Sequence, residues 1–139
     1  MGEQDPIELA ARALQHRDRS RRDLEERLAR AGIDVDTRTD ALETLERVGY
    51  LDDERFAATR AEALAGRGYG DAWIRHDLAR HGVAAEVVAG AIGALVPEAE
   101  RAAVLVERLG NTPKTGARLA RKGFGHEALE AALGMDVAG

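Results

Sequence analysis

The chain has 139 residues and a formal net charge of −5 at pH 7; 45% of its residues are apolar and 32% are charged. This size and apolar content are typical of a single folded domain and exclude a disordered chain. The chain contains no Cys, which excludes disulfides, thiol chemistry and Cys-ligated zinc. The start lacks the pattern of a signal peptide and no apolar run approaches ~18 residues, so we expect a cytoplasmic protein without membrane contact.

The composition predicts an all-α fold. Aromatic residues make up only 4% of the chain, whereas Ala, Leu, Arg and Glu, which lose little rotamer freedom in a helix, are abundant. Asp5 and Pro6 are typical of the N-cap and first position of a helix. Ser20 caps a second helix, with Asp23 three residues on, close to a capping box, and Gly32 ends that helix. Helically spaced Leu residues then predict a third helix.

The same three-helix pattern occurs twice more along the chain. The residues that open the first helix of each group, Asp5, Asp52 and Pro97, are spaced by 47 and 45 residues. Near the end of each second helix is a Leu, which is followed four residues later by a Gly and then directly by an apolar residue. The three sets are Leu28, Gly32 and Ile33; Leu78, Gly82 and Val83; Leu119, Gly123 and Phe124. No segment alternates apolar and polar residues as a strand would. We therefore predict three tandem three-helix repeats, 5–49, 50–96 and a shortened 97–134, which together form one continuous domain, an elongated, curved helical array.

Two adjacent carboxylates lie in the stretch GYLDDERFA, residues 49–57. Asp52 and Asp53 could bind a divalent cation or form an acid–base pair. However, adjacent residues at a helix start point in different directions, whereas a hard cation needs several converging oxygens. As a helix start, Asp52 is the N-cap and Asp53 lies in the first turn, where its charge favours the helix dipole. Leu51 and Phe56 would then form a hydrophobic staple. We interpret the stretch as a helix cap.

No other group of residues predicts catalysis or metal binding. His76 and His81 are five residues apart, a poor spacing for two ligands on one helical face. Ser20 is the only Ser and lies in no Gly-x-Ser-x-Gly motif. The Gly-rich residues 66–73 follow a predicted helix rather than a strand, so they indicate a turn rather than a phosphate-binding loop. Trp73 is equally consistent with core packing and with an exposed interface. We expect no enzyme activity, no cofactor and no metal.

Charge is distributed unevenly along the chain. Residues 12–30 contain seven Arg against four acids, residues 34–64 nine acids against four Arg, and residues 111–126 four cations and no acid. Basic residues recur at the second helix of each repeat: Arg17, Arg21 and Arg22; Arg75 and Arg80; Lys114, Arg118, Arg121 and Lys122. They are either solvated helix faces or parts of a basic strip that binds nucleic acid or an acidic protein surface. The negative net charge argues against purely charge-driven binding to nucleic acid.

Three segments resemble the RecX family of bacterial RecA regulators: RDRSRRDLEERLARAG at 17–32, GYLDDERFA at 49–57 and ARKGFGHEALEAAL at 120–133. The resemblance extends from about Leu9 to Leu133 and implies the family's fold of three tandem three-helix repeats. The family's signature positions in this chain are Arg19, Ser20, Gly49, Tyr50, Leu51, Asp52, Asp53, Phe56 and Ala57. We interpret these positions as architecture more than as contact residues.

The resemblance also implies a function. It implies a non-enzymatic, monomeric regulator that binds the RecA recombinase and lodges in the groove of the RecA–DNA filament. Such a regulator limits filament growth, ATP hydrolysis and strand exchange, and so acts in homologous recombination, DNA repair and the SOS response; weak direct DNA binding is implied as well. We expect the nine basic residues of the second helices to contact RecA or DNA. The alternative is a nucleic-acid-binding helical-repeat protein whose units act as degenerate helix-turn-helix modules.

Overall fold

The structure, a computed structural model, describes residues 5–134. In this range the chain forms nine α-helices and no strand, which confirms the all-α prediction. The helices are α1 Pro6–His16, α2 Arg21–Arg30, α3 Val35–Arg47, α4 Asp53–Gly66, α5 Asp71–Arg80, α6 Ala85–Gly93, α7 Glu98–Leu109, α8 Pro113–Arg121 and α9 His126–Leu133. They form three groups of three consecutive helices, here repeats 1, 2 and 3, and all the helices within a group contact one another. None of the helices described is long and apolar enough to cross a bilayer.

Side-chain caps begin most of the helices that the sequence predicts. Asp5, Ser20, Asp52 and Thr112 each accept a hydrogen bond from an amide in the first turn of α1, α2, α4 and α8, respectively. The bond to Asp52 is 3.1 Å long, which confirms this residue as an N-cap. Asp34 caps α3 in the same way, so that helix begins at Val35. These starts depend on residues within one helical turn, which is why they can be predicted locally.

The middle helix of each repeat ends in a Schellman motif. The three stop glycines, Gly32, Gly82 and Gly123, have φ angles of +84°, +78° and +96°, in the left-handed region that side chains disfavour. The amide after each glycine donates to the carbonyl oxygen of the Leu five residues earlier, at distances of 3.2, 3.2 and 3.1 Å. Those Leu side chains are fully buried. The predicted helix stops are therefore confirmed.

Each repeat has its own hydrophobic core. The cores of repeats 1, 2 and 3 include, respectively, Leu24, Leu28 and Leu42; Phe56, Ile74 and Leu78; and Val106, Leu119 and Phe124. Leu51 packs in the core of repeat 1 and Phe56 in that of repeat 2, so the predicted hydrophobic staple between them is wrong. The reason is that the Leu51 amide donates to the Leu45 carbonyl oxygen at 3.1 Å, which holds Leu51 against the end of α3.

Polar contacts join consecutive repeats. Between repeats 1 and 2, the start of α2 meets the end of α5, where Ser20 Oγ donates to the His81 carbonyl oxygen at 2.6 Å. Between repeats 2 and 3, the start of α5 meets the end of α8, where the Gly70 amide donates to the Lys122 carbonyl oxygen at 2.8 Å. The last carbonyls of a helix have no partner within that helix. At each joint, the preceding repeat supplies the missing donor.

A carboxylate from the following repeat completes the start of the middle helix at both joints. Asp53 Oδ1 accepts a 2.8 Å hydrogen bond from the Arg21 amide, and Glu98 Oε2 accepts a 2.6 Å hydrogen bond from the Asp71 amide. Asp53 and Glu98 are the first residues of α4 and α7, so the two joints have the same design. Burial raises the pKa of the Asp53 carboxyl, while the hydrogen bond from the Arg21 amide opposes that shift. Asp53 therefore belongs to the joint as well as to the first turn of α4.

Asp23 also acts across the first joint. Its Oδ2 lies 2.8 Å from His81 Nδ1. The His81 ring in turn packs edge-on against Phe56, with 5.4 Å between the ring centroids. The Asp23 carboxylate thus serves the neighbouring repeat rather than the capping box that its spacing from Ser20 suggests.

Candidate interaction surface

The joint between repeats 1 and 2 brings two of the predicted basic residues together. Arg22 Nη2 donates to the Arg80 carbonyl oxygen at 2.8 Å, and both side chains are exposed. Carboxylates accompany them: Arg22 Nε lies 3.7 Å from Glu26 Oε1, and Arg80 Nη2 lies 3.9 Å from Asp77 Oδ1. The neighbouring Arg21 pairs with a carboxylate of α3 at 3.1 Å. This part of the basic surface is therefore partly neutralised by the protein itself.

Four of the other predicted basic residues are exposed and separate. Within residues 5–134, no side-chain hydrogen bond or ion pair connects Arg17, Arg75, Lys114 or Arg121 with the remaining five. A continuous basic strip along the three middle helices stays a prediction.

Repeats 2 and 3 form an open groove of 670 Å³, which we call the 2–3 groove. It lies between the end of α4, the segment after α6, one side of α7 and one side of α8. Arg118 and Lys122, which are four residues apart and share a helical face, line this groove. Lys114 and Arg121 are outside its described lining. Two of the four predicted basic residues of α8 thus meet in one site.

The 2–3 groove is basic, because five cations and two carboxylates line it. Two of the cations are held by the protein. Arg101 forms an ion pair of 2.9 Å with a carboxylate of α5, and Lys122 Nζ donates to the Arg67 carbonyl oxygen at 2.9 Å. The guanidinium groups of Arg67, Arg108 and Arg118 are exposed, and none of them forms an ion pair within the described part of the chain. These three groups can meet an anionic ligand.

The 2–3 groove also exposes apolar side chains. Val96, Val104 and Leu109 all line it and are 57%, 58% and 41% exposed. On the other side of α7, Ala102 and Val106 pack in the core of repeat 3, so this helix is apolar on two sides. An exposed apolar surface with a polar rim is typical of a protein-binding site.

Tyr69 and Trp73 form a stacked pair beside the 2–3 groove. Their ring centroids are 4.8 Å apart, and Lys122 Nζ lies 4.4 Å from the centroid of the Tyr69 ring. Trp73 is 44% exposed, and its backbone occupies the space that a side chain at Gly123 would need. Of the two alternatives for Trp73, the structure supports exposure at a joint. The Gly-rich segment that precedes Trp73 is the turn between α4 and α5, as predicted.

Sequence reasoning missed the contribution of α7 to this surface. Arg101, Val104 and Arg108 follow helical spacing and reach the same groove, but the charge pattern alone does not separate them from a solvated face. The signal that could have identified them is an apolar residue, Val104, between two Arg residues at helical spacing, on the side of α7 that does not pack in the core.

Sequence reasoning also missed a buried ion pair between α4 and α5. Arg60 donates two hydrogen bonds to the buried Asp77 carboxylate; the one from Nη2 to Oδ1 is 2.8 Å long. These bonds hold the pKa of Asp77 below its ordinary value, against the effect of burial. The pair is structural and lies within repeat 2. Residues 5–134 contain no group of three or more side chains that could hold a metal ion.

Most signature positions lie near the end of α1 or between α3 and α4. Arg19 Nε donates to the Ala13 carbonyl oxygen at 3.2 Å, Ala57 is buried, and Gly49 has a φ of +83°. Tyr50 differs, because its side chain is 62% exposed. Core packing does not account for a Tyr at that position.

Comparison with known proteins identifies relatives along nearly the whole chain. Regulatory protein RecX of Xanthomonas axonopodis pv. citri is 34% identical over 145 residues, which cover 97% of this chain and 90% of that protein. Regulatory protein RecX of Acidithiobacillus ferrooxidans is 36% identical over 138 residues, which cover 94% of this chain and 89% of that protein. This chain belongs to the RecX family.

The RecX family also accounts for the fold. The family profile described as RecX, second three-helix domain, matches residues 52–92, most of repeat 2. The crystal structure of RecX from Lactobacillus salivarius matches with a TM-score of 0.81 at 17% identity and covers 93% of this chain and 92% of that one. A crystal structure of a regulatory protein RecX matches with a TM-score of 0.76 at 20% identity, and the match covers 94% of this chain and 74% of that one. The chain is therefore a RecX-type regulator with the predicted fold.

Proposed function

We propose that this RecX-type regulator acts on the RecA recombinase. It binds the RecA–DNA filament and limits filament growth, ATP hydrolysis and strand exchange, as a cytoplasmic monomer without catalytic activity of its own. Membership in the RecX family supports this proposal. The observation that carries it is the basic and partly apolar 2–3 groove, where Arg67, Arg108 and Arg118 have no ion-pair partner within residues 5–134. Such a surface suits an anionic protein–DNA assembly.

A RecA ATPase assay tests the proposal. RecA from the same organism hydrolyses ATP on single-stranded DNA, and we expect the chain to suppress this hydrolysis at substoichiometric amounts. Full hydrolysis in the presence of excess chain would contradict the proposal.

A charge-reversal variant tests the role of α8. Because Arg118 and Arg121 are exposed, Arg118→Glu with Arg121→Glu should weaken inhibition and leave the helical circular dichroism unchanged. Arg47→Glu, at an exposed position on the third helix of repeat 1, is the control and should inhibit like the parent chain. Undiminished inhibition by the double variant would place the RecA contact elsewhere.

The second candidate function is direct binding of nucleic acid. The stack of the exposed Trp73 ring on the partly buried Tyr69 ring, beside Lys122, favours it, since aromatic rings next to cations are platforms for unstacked bases. Titrating salt into complexes with single- and double-stranded DNA separates the two candidates, because phosphate contacts predict a steep loss of affinity. If neither DNA binds at low salt, this candidate fails.

A further inference from the structure

We infer that the 2–3 groove is a docking site for an acidic peptide segment that carries apolar side chains and belongs to a protein partner. The inference rests on the proposed function only in assuming that such a partner exists. The volume of 670 Å³ lies within the roughly 300–1,000 Å³ typical of ligand sites.

The apolar requirement follows from the two sides of α7. Ala102 and Val106 pack in the core of repeat 3, whereas Val104, on the opposite side of the helix, is exposed, and Leu109 is partly exposed at the end of the helix. Val96, from the segment after α6, faces the same groove. A partner that inserts apolar side chains here removes this surface from water, which favours binding.

The acidic requirement follows from the charges around that apolar surface. The whole chain has a net charge of −5, yet the lining of the groove contains five cations and only two carboxylates. Arg101 and Lys122 already bond to the protein, whereas Arg67, Arg108 and Arg118 form no ion pair in the described range. Planar guanidinium groups bind carboxylates in bidentate geometry, so carboxylates of the segment would pair with these three.

The same observations favour a peptide over nucleic acid. A sugar–phosphate backbone offers no apolar group to Val96, Val104 and Leu109 of the lining, whereas a peptide can supply apolar side chains together with carboxylates. The stacked pair of Tyr69 and Trp73, which would suit bases, lies outside the described lining of the groove. A segment that alternates carboxylates with apolar side chains matches both features of the site.

Fluorescence anisotropy with the full chain tests the inference in the absence of RecA. The probe is a fluorescein-labelled peptide in which Leu residues are separated by Glu residues. One control peptide replaces Leu by Ser, and the other replaces Glu by Lys. We expect the Glu–Leu peptide to bind with an affinity that falls with salt, and each control peptide to bind at least about tenfold more weakly.

Matched variants locate the binding. Val104→Asp places a carboxylate on the apolar surface, and Val35→Asp does so in repeat 1 at a position with nearly the same exposure, 57% against 58%. We expect Val104→Asp and Arg108→Glu to weaken binding of the Glu–Leu peptide about tenfold, and Val35→Asp to leave it unchanged. Helical circular dichroism checks that each variant is folded.

Several outcomes would overturn the inference. The first is failure of the Glu–Leu peptide to bind at low salt. The second is an equal loss of peptide affinity in Val104→Asp and Val35→Asp. The third is that an oligothymidine binds, Val104→Asp abolishes this binding, and the peptide does not bind. The last result would make the groove a nucleic-acid site. Because the peptide assay contains no RecA, peptide binding without RecA inhibition refutes only the proposed function, and RecA inhibition without peptide binding refutes only this inference.

Discussion

Replacing Gly70 by Ala tests whether the joint between repeats 2 and 3 depends on close backbone contact. Gly70 has φ −87° and ψ 172°, a conformation that Ala adopts without strain. Only the space around the residue opposes the change. An added Cβ would overlap the carbonyl carbon of Gly123 and the nitrogen of Phe124, and would lie 2.5 Å from the Gly123 carbonyl oxygen. These are backbone atoms, which cannot rotate away, so repeat 3 must shift.

The shift has a calculable cost. It breaks or lengthens two hydrogen bonds across the joint, from the Gly70 amide to the Lys122 carbonyl oxygen (2.8 Å) and from the Ala72 amide to the Gly123 carbonyl oxygen (3.2 Å). Each such bond contributes about 1 kcal/mol net, and overpacking a close contact costs roughly 1–3 kcal/mol. We therefore expect the free energy of unfolding to fall by about 3–5 kcal/mol, a large part of the total for a small domain.

Urea denaturation of the full chain, followed by helical circular dichroism, measures this loss. Gly66→Ala is the matched control: Gly66 is the last residue of α4, and apart from its chain neighbours and the backbone of its own helix no atom lies within 4 Å of its added Cβ. That variant should be neutral or more stable by up to about 1 kcal/mol, because Ala is the better helix former. If Gly70→Ala and Gly66→Ala unfold at the same urea concentration, the close contact does not hold the joint and the reasoning fails.

Four further predictions concern the polar groups of the fold. Asp53→Ala removes the acceptor of the first amide of α2 and should cost about 1–2 kcal/mol with faster hydrogen exchange of that amide. Asp52→Ala should cost about 1 kcal/mol, since it removes only a cap. If the Arg21 amide exchanges slowly in both variants, Asp53 is not the acceptor that protects it. Arg60 holds the pKa of Asp77 below its ordinary value, so the ionised Asp77 carboxylate stabilises the folded state. This stabilisation is present above about pH 3.9, the pKa of Asp in the unfolded chain, and is lost as pH falls through the lower pKa of the folded chain. Acid denaturation of Asp77→Asn should therefore show a smaller loss of stability over that range than the parent chain; an identical loss would refute the linkage. Ser20→Ala removes both a cap and a bond across the first joint and should cost about 2 kcal/mol in urea denaturation, and a loss well below about 1 kcal/mol would mean that the joint gains nothing from this side chain.

The elements that sequence reasoning predicted well are those made by neighbours in the chain. The N-cap of Asp52 acts over three residues, and the stop at Gly82 depends on a bond between residues five apart. A cap or a Schellman motif needs only the right residue types within about two turns, so it can be read from a short stretch. The recurrence of such starts and stops was enough to predict three helices in each repeat.

The contacts between repeats were not predictable in this way. Asp53 looks like an ordinary first-turn carboxylate, and Asp23 like a partner of its own cap. Each acts on a group in another repeat instead, the Arg21 amide for Asp53 and His81 for Asp23. The partners are 32 and 58 residues away in the chain, so no local sequence pattern can predict them.

The candidate surface divides in the same manner. Arg118 and Lys122 belong to a basic cluster that the sequence displays, and the 2–3 groove contains both. Arg67, in the Gly-rich segment, and Arg108 belong to none of the predicted basic clusters, and they line that groove only because repeat 3 docks on repeat 2.

The sequence by itself determined the class of fold, the three repeats and the start and stop of most helices, because these depend on hydrogen bonds and rotamer preferences within a few residues. Only the tertiary structure decided how the repeats meet and which charges share a groove. The close approach of Gly70 to Gly123, which allows the second joint, depends on the packing of two separate cores. Shape complementarity and the unpaired polar groups at helix ends determine where two repeats contact each other. Neither can be predicted from a short stretch of the chain.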